Sequence, residues 1–150
     1  INASDAVTDV SYSDAGVTYT GMDGLTVGYG QGDVENVTNT KSTESTLFAK
    51  YAMGSITVGI QKNEKDVETG TDTESTGIGI SYQVNDDLTV SYGTNTLEKT
   101  GSNDQEAQAV GISYTVGSLG IALSMNTVDN IANSATNDRD AYQLGLSFAF

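Results

Sequence analysis

The chain has 150 residues, with 20 acidic and six basic side chains, a formal net charge of −14 and no Cys, His or Pro. Without Cys and His it has no disulfide, no thiolate nucleophile and neither the usual general base nor the usual nitrogen ligand for a metal, so we predict that it is not an enzyme. The negative charge argues against nucleic acid, whose phosphates attract stripes of Lys and Arg.

Segments of alternating apolar and polar residues, separated by turn residues, predict nine β-strands. They cover residues 15 to 20, 25 to 31, 45 to 53, 56 to 62, 75 to 84, 88 to 96, 107 to 116, 119 to 128 and 141 to 150. An aromatic residue recurs every 31 to 34 positions, at Tyr19, Tyr51, Tyr82, Tyr114 and Phe148. After each of the first four, a short turn leads into a second strand, so each repeat is predicted to be a β-hairpin.

Each predicted strand has one apolar parity and one parity of small, polar residues. A soluble β-sandwich alternates in the same way, so the placement of charge must separate the two classes. None of the 20 acidic residues lies in the nine predicted strands, and 14 lie in the connections 32 to 44, 63 to 74, 97 to 106 and 129 to 140. Strands in lipid exclude charge because it costs about 2 to 4 kcal/mol near the bilayer midplane. We therefore predict a transmembrane β-barrel rather than a sandwich, solenoid or fibrous repeat.

The last ten residues alternate without a break and stop on an aromatic ring. This ending resembles the C-terminal strand of bacterial outer-membrane β-barrel proteins, which the barrel-assembly machinery reads. The resemblance implies an assembly signal formed by Tyr142, Leu144, Leu146, Phe148 and Phe150. It also implies a periplasmic C terminus, short turns in the periplasm and the four acidic loops outside. The lipid-facing aromatic girdle would then comprise Tyr19, Tyr51, Tyr82, Tyr114 and Phe148.

Nine strands is an odd number, whereas bacterial single-chain barrels have even numbers. In one interpretation the residues are one domain, 1 to 150, that is the C-terminal part of an antiparallel up-and-down barrel of about 16 strands. In the other, the strand near residues 15 to 20 pairs differently and the chain is a complete eight-stranded barrel. We favour the first, because glycines on the polar parity cannot fill the interior of an eight-stranded barrel. The opening residues 1 to 7 also resemble the loop before a mid-barrel strand in alphaproteobacterial general porins.

Resemblance to general porins implies a trimeric outer-membrane channel for passive diffusion of small hydrophilic solutes and ions. In that family an inward-folded loop of the N-terminal half forms the constriction, and it would lie outside this chain. The residues predicted to line the pore are Lys50, Gln61, Ser81, Gln83, Ser113, Asn126, Arg139 and Gln143. Lys50, Lys65, Lys99 and Arg139 share the polar parity and would present basic groups to acidic constriction residues. Alternatively, Lys65, Lys99 and Arg139 are simply loop residues.

Two alternatives remain open from the sequence: a non-channel barrel that acts as an adhesin or structural anchor, and a secreted soluble β repeat protein. We expect no cofactor. The acidic stretch 64 to 74 and the glycine-aspartate turn at 28 to 33 could bind Ca²⁺ through oxygen ligands. Lone acidic clusters of this kind are more often a solvated surface. The expected partners are outer-membrane lipid, small solutes and further copies of the chain.

Overall fold

The computed structural model describes residues 11–35 and 41–149. The strands are β1 (Ser11–Met22), β2 (Leu25–Glu35), β3 (Lys41–Met53), β4 (Ile56–Val67), β5 (Thr73–Gln83), β6 (Leu88–Lys99), β7 (Gln105–Val116), β8 (Leu119–Asp129) and β9 (Arg139–Phe148). They form one sheet in sequence order, and each strand pairs antiparallel with the next. The predicted strand number and topology are confirmed.

Short turns join β1 to β2, β3 to β4, β5 to β6 and β7 to β8. Gly24, Gly54 and Gly117 occupy three of these turns with φ of 73°, 57° and 59°, a left-handed backbone that side chains with a Cβ disfavour. The predicted hairpins are therefore present, and all four short turns lie at one end of the sheet. The long connections lie at the other end. Among the described residues, no helix is long and apolar enough to cross a membrane.

The first strand pairs as regularly as the others, with a register that runs from Ser11 opposite Glu35 to Met22 opposite Leu25 and shifts only between Tyr19 and Met22. The interpretation in which this strand pairs differently is therefore wrong. Within the described residues, β1 and β9 are the edges of a nine-stranded sheet.

The strands are tilted relative to their ladder of hydrogen bonds. Leu25 begins β2, and successive directly opposite pairs lead from it across the sheet to Tyr142, six residues before the end of β9. Such a steady drift of register is the stagger of a sheet that curls into a barrel with strands tilted by about 35 to 45°. The girdle aromatics therefore step diagonally across the ladder.

The strands are longer than predicted at their long-loop ends. Eleven acidic residues lie inside the observed strands: Asp14, Asp33, Glu35, Glu44, Glu64, Asp66, Glu74, Glu98, Glu106, Asp129 and Asp140. The prediction that no acidic residue lies in a strand is therefore wrong, because the observed strands extend beyond the predicted ones. The apolar alternation of the outer face ends before the backbone ladder does, so the pattern of polarity underestimates the length of the strands.

The sheet has no buried core. Among the described residues, no apolar side chain is buried, and Tyr82 and Tyr114 remain 45% and 39% exposed. A sandwich would cover these side chains with a second sheet, but the described strands form one sheet only. The apolar face is therefore left for the environment to cover, as in a membrane barrel.

Candidate functional site

The register assigns every strand residue to one of two faces. We call the face that carries Ser81 and Ser113 the inner face and the opposite one the outer face. All eight residues predicted to line a pore share the inner face: Lys50, Gln61, Ser81, Gln83, Ser113, Asn126, Arg139 and Gln143. The five aromatics predicted for the girdle, Tyr19, Tyr51, Tyr82, Tyr114 and Phe148, share the outer face. Tyr142, Leu144 and Leu146 also lie on the outer face, and Phe150 lies outside the described residues.

The middle of the inner face carries a row of glycines in place of larger side chains, and we call this row the glycine floor. Gly59, Gly79 and Gly93 lie directly opposite one another on β4, β5 and β6, and Ala109 continues the row on β7. A Cβ added at Gly79 would approach only the backbone oxygen of Tyr92, at 3.9 Å. A Cβ added at Gly59 or Gly93 would also meet only backbone atoms, the nearest at 3.6 Å and 3.3 Å. No side chain therefore covers this row, and the curved sheet forms an open cleft of about 730 Å³ over it. A cleft of that volume accommodates a small molecule.

Phe48 stands at one side of this cleft. It lies on the inner face of β3, directly opposite Gly28 on β2 and Gln61 on β4. A Cβ on Gly28 would collide with the Phe48 ring, so the ring is seated over that glycine. The sequence analysis missed this residue because Leu47-Phe48-Ala49 reads as one apolar run. The parity of Phe48, which is that of Lys50, was the available signal.

At the rim of the cleft and toward the long-loop end, polar side chains of the inner face form hydrogen bonds with one another. The Gln61 amide and the Thr46 hydroxyl both donate to Asn63 Oδ1 at 2.9 Å. The Asn95 amide donates to Ser75 Oγ at 3.0 Å, and the Asn126 amide donates to Ser124 Oγ at 3.3 Å. These hydrogen bonds keep the inner face polar at the strand positions where the outer face changes from apolar to polar.

Charge on the inner face is predominantly basic. Lys50, Lys65, Lys99 and Arg139 lie on this face, against the two carboxylates Asp14 and Glu44. Lys65 forms an ion pair with Glu44 on the neighbouring strand. Within the described residues, no carboxylate lies within ion-pair distance of Lys50, Lys99 or Arg139. Lys65, Lys99 and Arg139 are strand residues at the long-loop ends, whereas Lys50 lies three residues from the short-turn end of β3.

The composition of the outer face changes along the strands, from apolar near the short turns to acidic near the long connections. On β2 to β9, every outer-face residue within five positions of the short-turn end is apolar or aromatic. Nine of the eleven strand carboxylates also lie on this face, each eight to ten positions from that end: Asp33, Glu35, Glu64, Asp66, Glu74, Glu98, Glu106, Asp129 and Asp140. With about 3.3 Å per residue and a tilt of about 40°, the carboxylates begin about 20 to 25 Å above the turns. The carboxylate-free height is close to the apolar band of about 25 Å that spans an outer membrane. The uniformly apolar part is shorter, about 13 Å, because Gln31, Lys62 and Thr94 lie six positions from the short-turn end.

Lys62 lies on the outer face between the apolar band and these carboxylates. Its Nζ contacts Glu64 at 2.6 Å and Glu74 at 3.0 Å. The hydrogen bond from Lys62 lowers the pKa of the Glu64 carboxyl, and the positive charge of Lys62 lowers it further. Because Glu64 and Glu74 are directly opposite, Lys62 also relieves the repulsion between two like charges.

The connection between β8 and β9 is folded onto the inner side of the long-loop end. The Asn133 amide donates to the backbone oxygens of Leu97, at 3.2 Å, and Asn103, at 2.7 Å. The Ala132 N–H donates to the side chain of Gln105, an inner-face residue, at 2.9 Å. Asn130, Ala132 and Asn133 all have a φ between 55° and 60°, a conformation that costs free energy in residues with a Cβ. The hydrogen bonds to β6 and β7 hold this strained turn in place.

No group of three or more carboxylates in the described ranges is arranged to hold a metal ion. The acidic stretch 64 to 74 instead makes local contacts, such as the Val67 N–H that donates to Asp72 at 2.8 Å.

Comparison with known proteins gives a family and a fold. A model of the Gram-negative porin family matches residues 2–115. Among solved structures, an anion-selective porin from Comamonas acidovorans is 17% identical with a TM-score of 0.75, over 93% of this chain and 49% of that one. OmpT, an outer-membrane protein of Vibrio cholerae, is 15% identical with a TM-score of 0.62, over 93% and 55% of the two chains. KdgM porin is 13% identical with a TM-score of 0.60, over 97% and 78%.

The chain therefore spans about half the length of the first two of these structures. No curated protein matches the sequence at a significant level. At these low identities the structural likeness establishes the fold alone, which is the wall of an antiparallel up-and-down β-barrel.

Proposed function

The chain belongs to the Gram-negative porin family, and we propose that it forms part of the wall of a water-filled channel for passive diffusion of small hydrophilic solutes and ions across the bacterial outer membrane. The observation that carries this proposal is the separation of the two faces. One is apolar near the short turns and free of carboxylates over about the height of a bilayer, and the other is lined by Gly, Ser, Thr, Asn and Gln. Lipid suits the first face and water the second.

The glycine floor favours a channel over a non-channel barrel. Small barrels fill their interior with side chains. Gly59, Gly79 and Gly93 leave the centre of the inner face without any. A wall built in this way contributes space to the lumen and therefore supports a conducting pore rather than an inert anchor.

The charges of the wall support a preference for anions. The inner face carries four cations and two carboxylates in its strands, although the whole chain has a net charge of −14. Fixed charge that lines a pore raises the local concentration of the oppositely charged ion. We therefore propose that chloride and small organic anions pass more readily than cations of equal size. The similar porin from Comamonas acidovorans is named as anion-selective.

The proposed channel also has a defined orientation in the membrane and a defined assembly. We propose that the chain is the C-terminal part of a longer barrel of the alphaproteobacterial general-porin type and that three copies associate. The short turns face the periplasm and the long connections face outward, and the last strand is read by the barrel-assembly machinery. The placement of the long connections at one end of the sheet and the short turns at the other supports this orientation, because the long loops of membrane barrels lie outside.

Planar lipid bilayers test the channel directly. Insertion of the purified full-length protein should raise the membrane conductance in discrete steps that persist under an applied voltage. Under a KCl gradient, the reversal potential should have the sign expected for a channel that prefers chloride. A heat-modifiable, detergent-dependent protein that produces no conductance would instead support the adhesin or anchor alternative. A reversal potential that favours potassium would contradict the charge argument while leaving the channel in place.

A further inference from the structure

We propose that Phe48 and Lys50 form a binding subsite on the channel wall for small organic anions that carry a flat apolar group, such as aromatic monocarboxylates. This inference rests on the proposed channel function. It adds to that function a solute class that is selected by two side chains of β3.

The first observation is the position of Lys50. It is the one charged residue that the described strands place on the inner face at the height of the outer apolar band. No carboxylate of the described residues is within 4.0 Å of it. The exposed ammonium group of Lys50 is therefore available to form a charge-assisted hydrogen bond with the carboxylate of a solute.

The second observation is the adjacent aromatic ring. Phe48 precedes Lys50 by two residues, so both side chains leave the same face of β3 about 7 Å apart. Apart from Tyr12, near the long-loop end of β1, Phe48 is the only aromatic on the inner face of the described strands. Its ring is half-buried over Gly28, which fixes its position, and it lines the same cleft as Lys50.

The third observation is the floor between the two groups and the opposite wall. Gly59 lies directly opposite Lys50, and Gly79 lies beyond it. Because neither residue has a side chain, a flat molecule can rest on the backbone with its carboxylate at Lys50 and its ring beside Phe48. Ser81 and Ser91 lie across the cleft and can hydrogen-bond to the solute or its water.

The chemistry separates this subsite from the general attraction of a basic wall. Lys50 alone would favour every anion of similar size, whereas Phe48 adds a preference for an apolar, planar body through ring contacts. The subsite must bind weakly, because a solute that stays blocks the channel. The expected signature is a brief, concentration-dependent block of chloride current.

Bilayer recordings of the full-length channel in about 0.1 M chloride, where screening is modest, test the subsite. We expect benzoate to reduce chloride current at a concentration about tenfold lower than acetate does. Lys50→Gln should raise the half-blocking concentration of benzoate about tenfold. Phe48→Leu should raise it about threefold and leave acetate unchanged.

Arg139→Gln is the matched control, because it removes one positive charge from the inner face outside the cleft. It should alter chloride preference and leave the ratio of benzoate to acetate block unchanged. Equal block by the two anions in the unaltered channel overturns the subsite and needs no variant. The subsite is also overturned if the ratio of benzoate to acetate block is the same in the Phe48→Leu and Lys50→Gln channels as in the unaltered channel. Absence of any conductance contradicts the proposed channel function instead.

Discussion

Lys50 and Tyr51 are consecutive residues of β3 that lie on opposite faces of the sheet. Lys50 is directly opposite Gly59 on the inner face, and Tyr51 is directly opposite Val58 on the outer face. If the inner face lines the channel as proposed, the same substitution meets water at Lys50 and the lipid interface at Tyr51.

A glutamate at each position tests this assignment. Lys50→Glu should shift the reversal potential toward cations and leave the yield of folded protein unchanged, since a charge in the lumen is hydrated. Tyr51→Glu should lower the yield of folded protein, because about 2 kcal/mol is lost when an interfacial aromatic is replaced by a charge. Reversal potential and heat-modifiable gel migration measure the two effects. Similar behaviour of the two variants in both measurements would show that the inner and outer faces are wrongly assigned.

Side chains added to the glycine floor should narrow the channel. Gly79→Leu should reduce single-channel conductance without loss of folding, because the nearest atom to a new Cβ is 3.9 Å away. Ile78→Leu, one residue earlier on the outer face, conserves volume and should leave conductance unchanged. Single-channel recordings of both variants provide the comparison. An unchanged conductance for Gly79→Leu would indicate that the floor does not border the conducting path.

The fold was largely predictable because a period of two places each strand residue on a face without knowledge of its neighbours. The placement of Ser81 and Tyr82 on opposite faces follows from that period alone, and the register agrees. The strand ends were not predictable in the same way. Glu64 and Glu74 lie on the outer face and are part of the ladder, because beyond the apolar part of the outer face the backbone still pairs although the side chains are polar.

The details of the site depend on contacts between distant residues. The position of the Phe48 ring in the cleft depends on Gly28, which lies on another strand and leaves room for the ring. Nothing in the sequence next to Phe48 indicates that a glycine lies opposite it. The turn at Asn133 depends on Leu97, 36 residues earlier. Contacts across such separations are set by register, which a single sequence gives only after the strands have been aligned.

The last strand should control assembly. Phe150→Asp should lower the heat-modifiable form in outer membranes and leave synthesis intact, because a charge replaces the terminal aromatic of the alternating pattern. Ser147→Asp is the control, since Ser147 lies on the inner face opposite Gly120. Immunoblots of total and outer-membrane fractions measure synthesis and assembly separately. Normal assembly of the Phe150→Asp protein would remove the proposed signal.

The β8 to β9 connection offers a test of how its strained turn is held. Asn133→Ala removes two hydrogen bonds and places Ala in a left-handed conformation, which together should weaken the turn by about 2 to 3 kcal/mol. Asn133→Gly removes the same hydrogen bonds and tolerates the conformation, so its effect should be smaller. Limited proteolysis of the folded barrel, with cleavage mapped to residues 130 to 138, measures the opening of the turn. We expect cleavage to increase from the unaltered protein to Asn133→Gly to Asn133→Ala, while heat-modifiable migration stays the same. Equal cleavage of all three proteins would show that the Asn133 amide does not secure the connection against the inner side of the barrel.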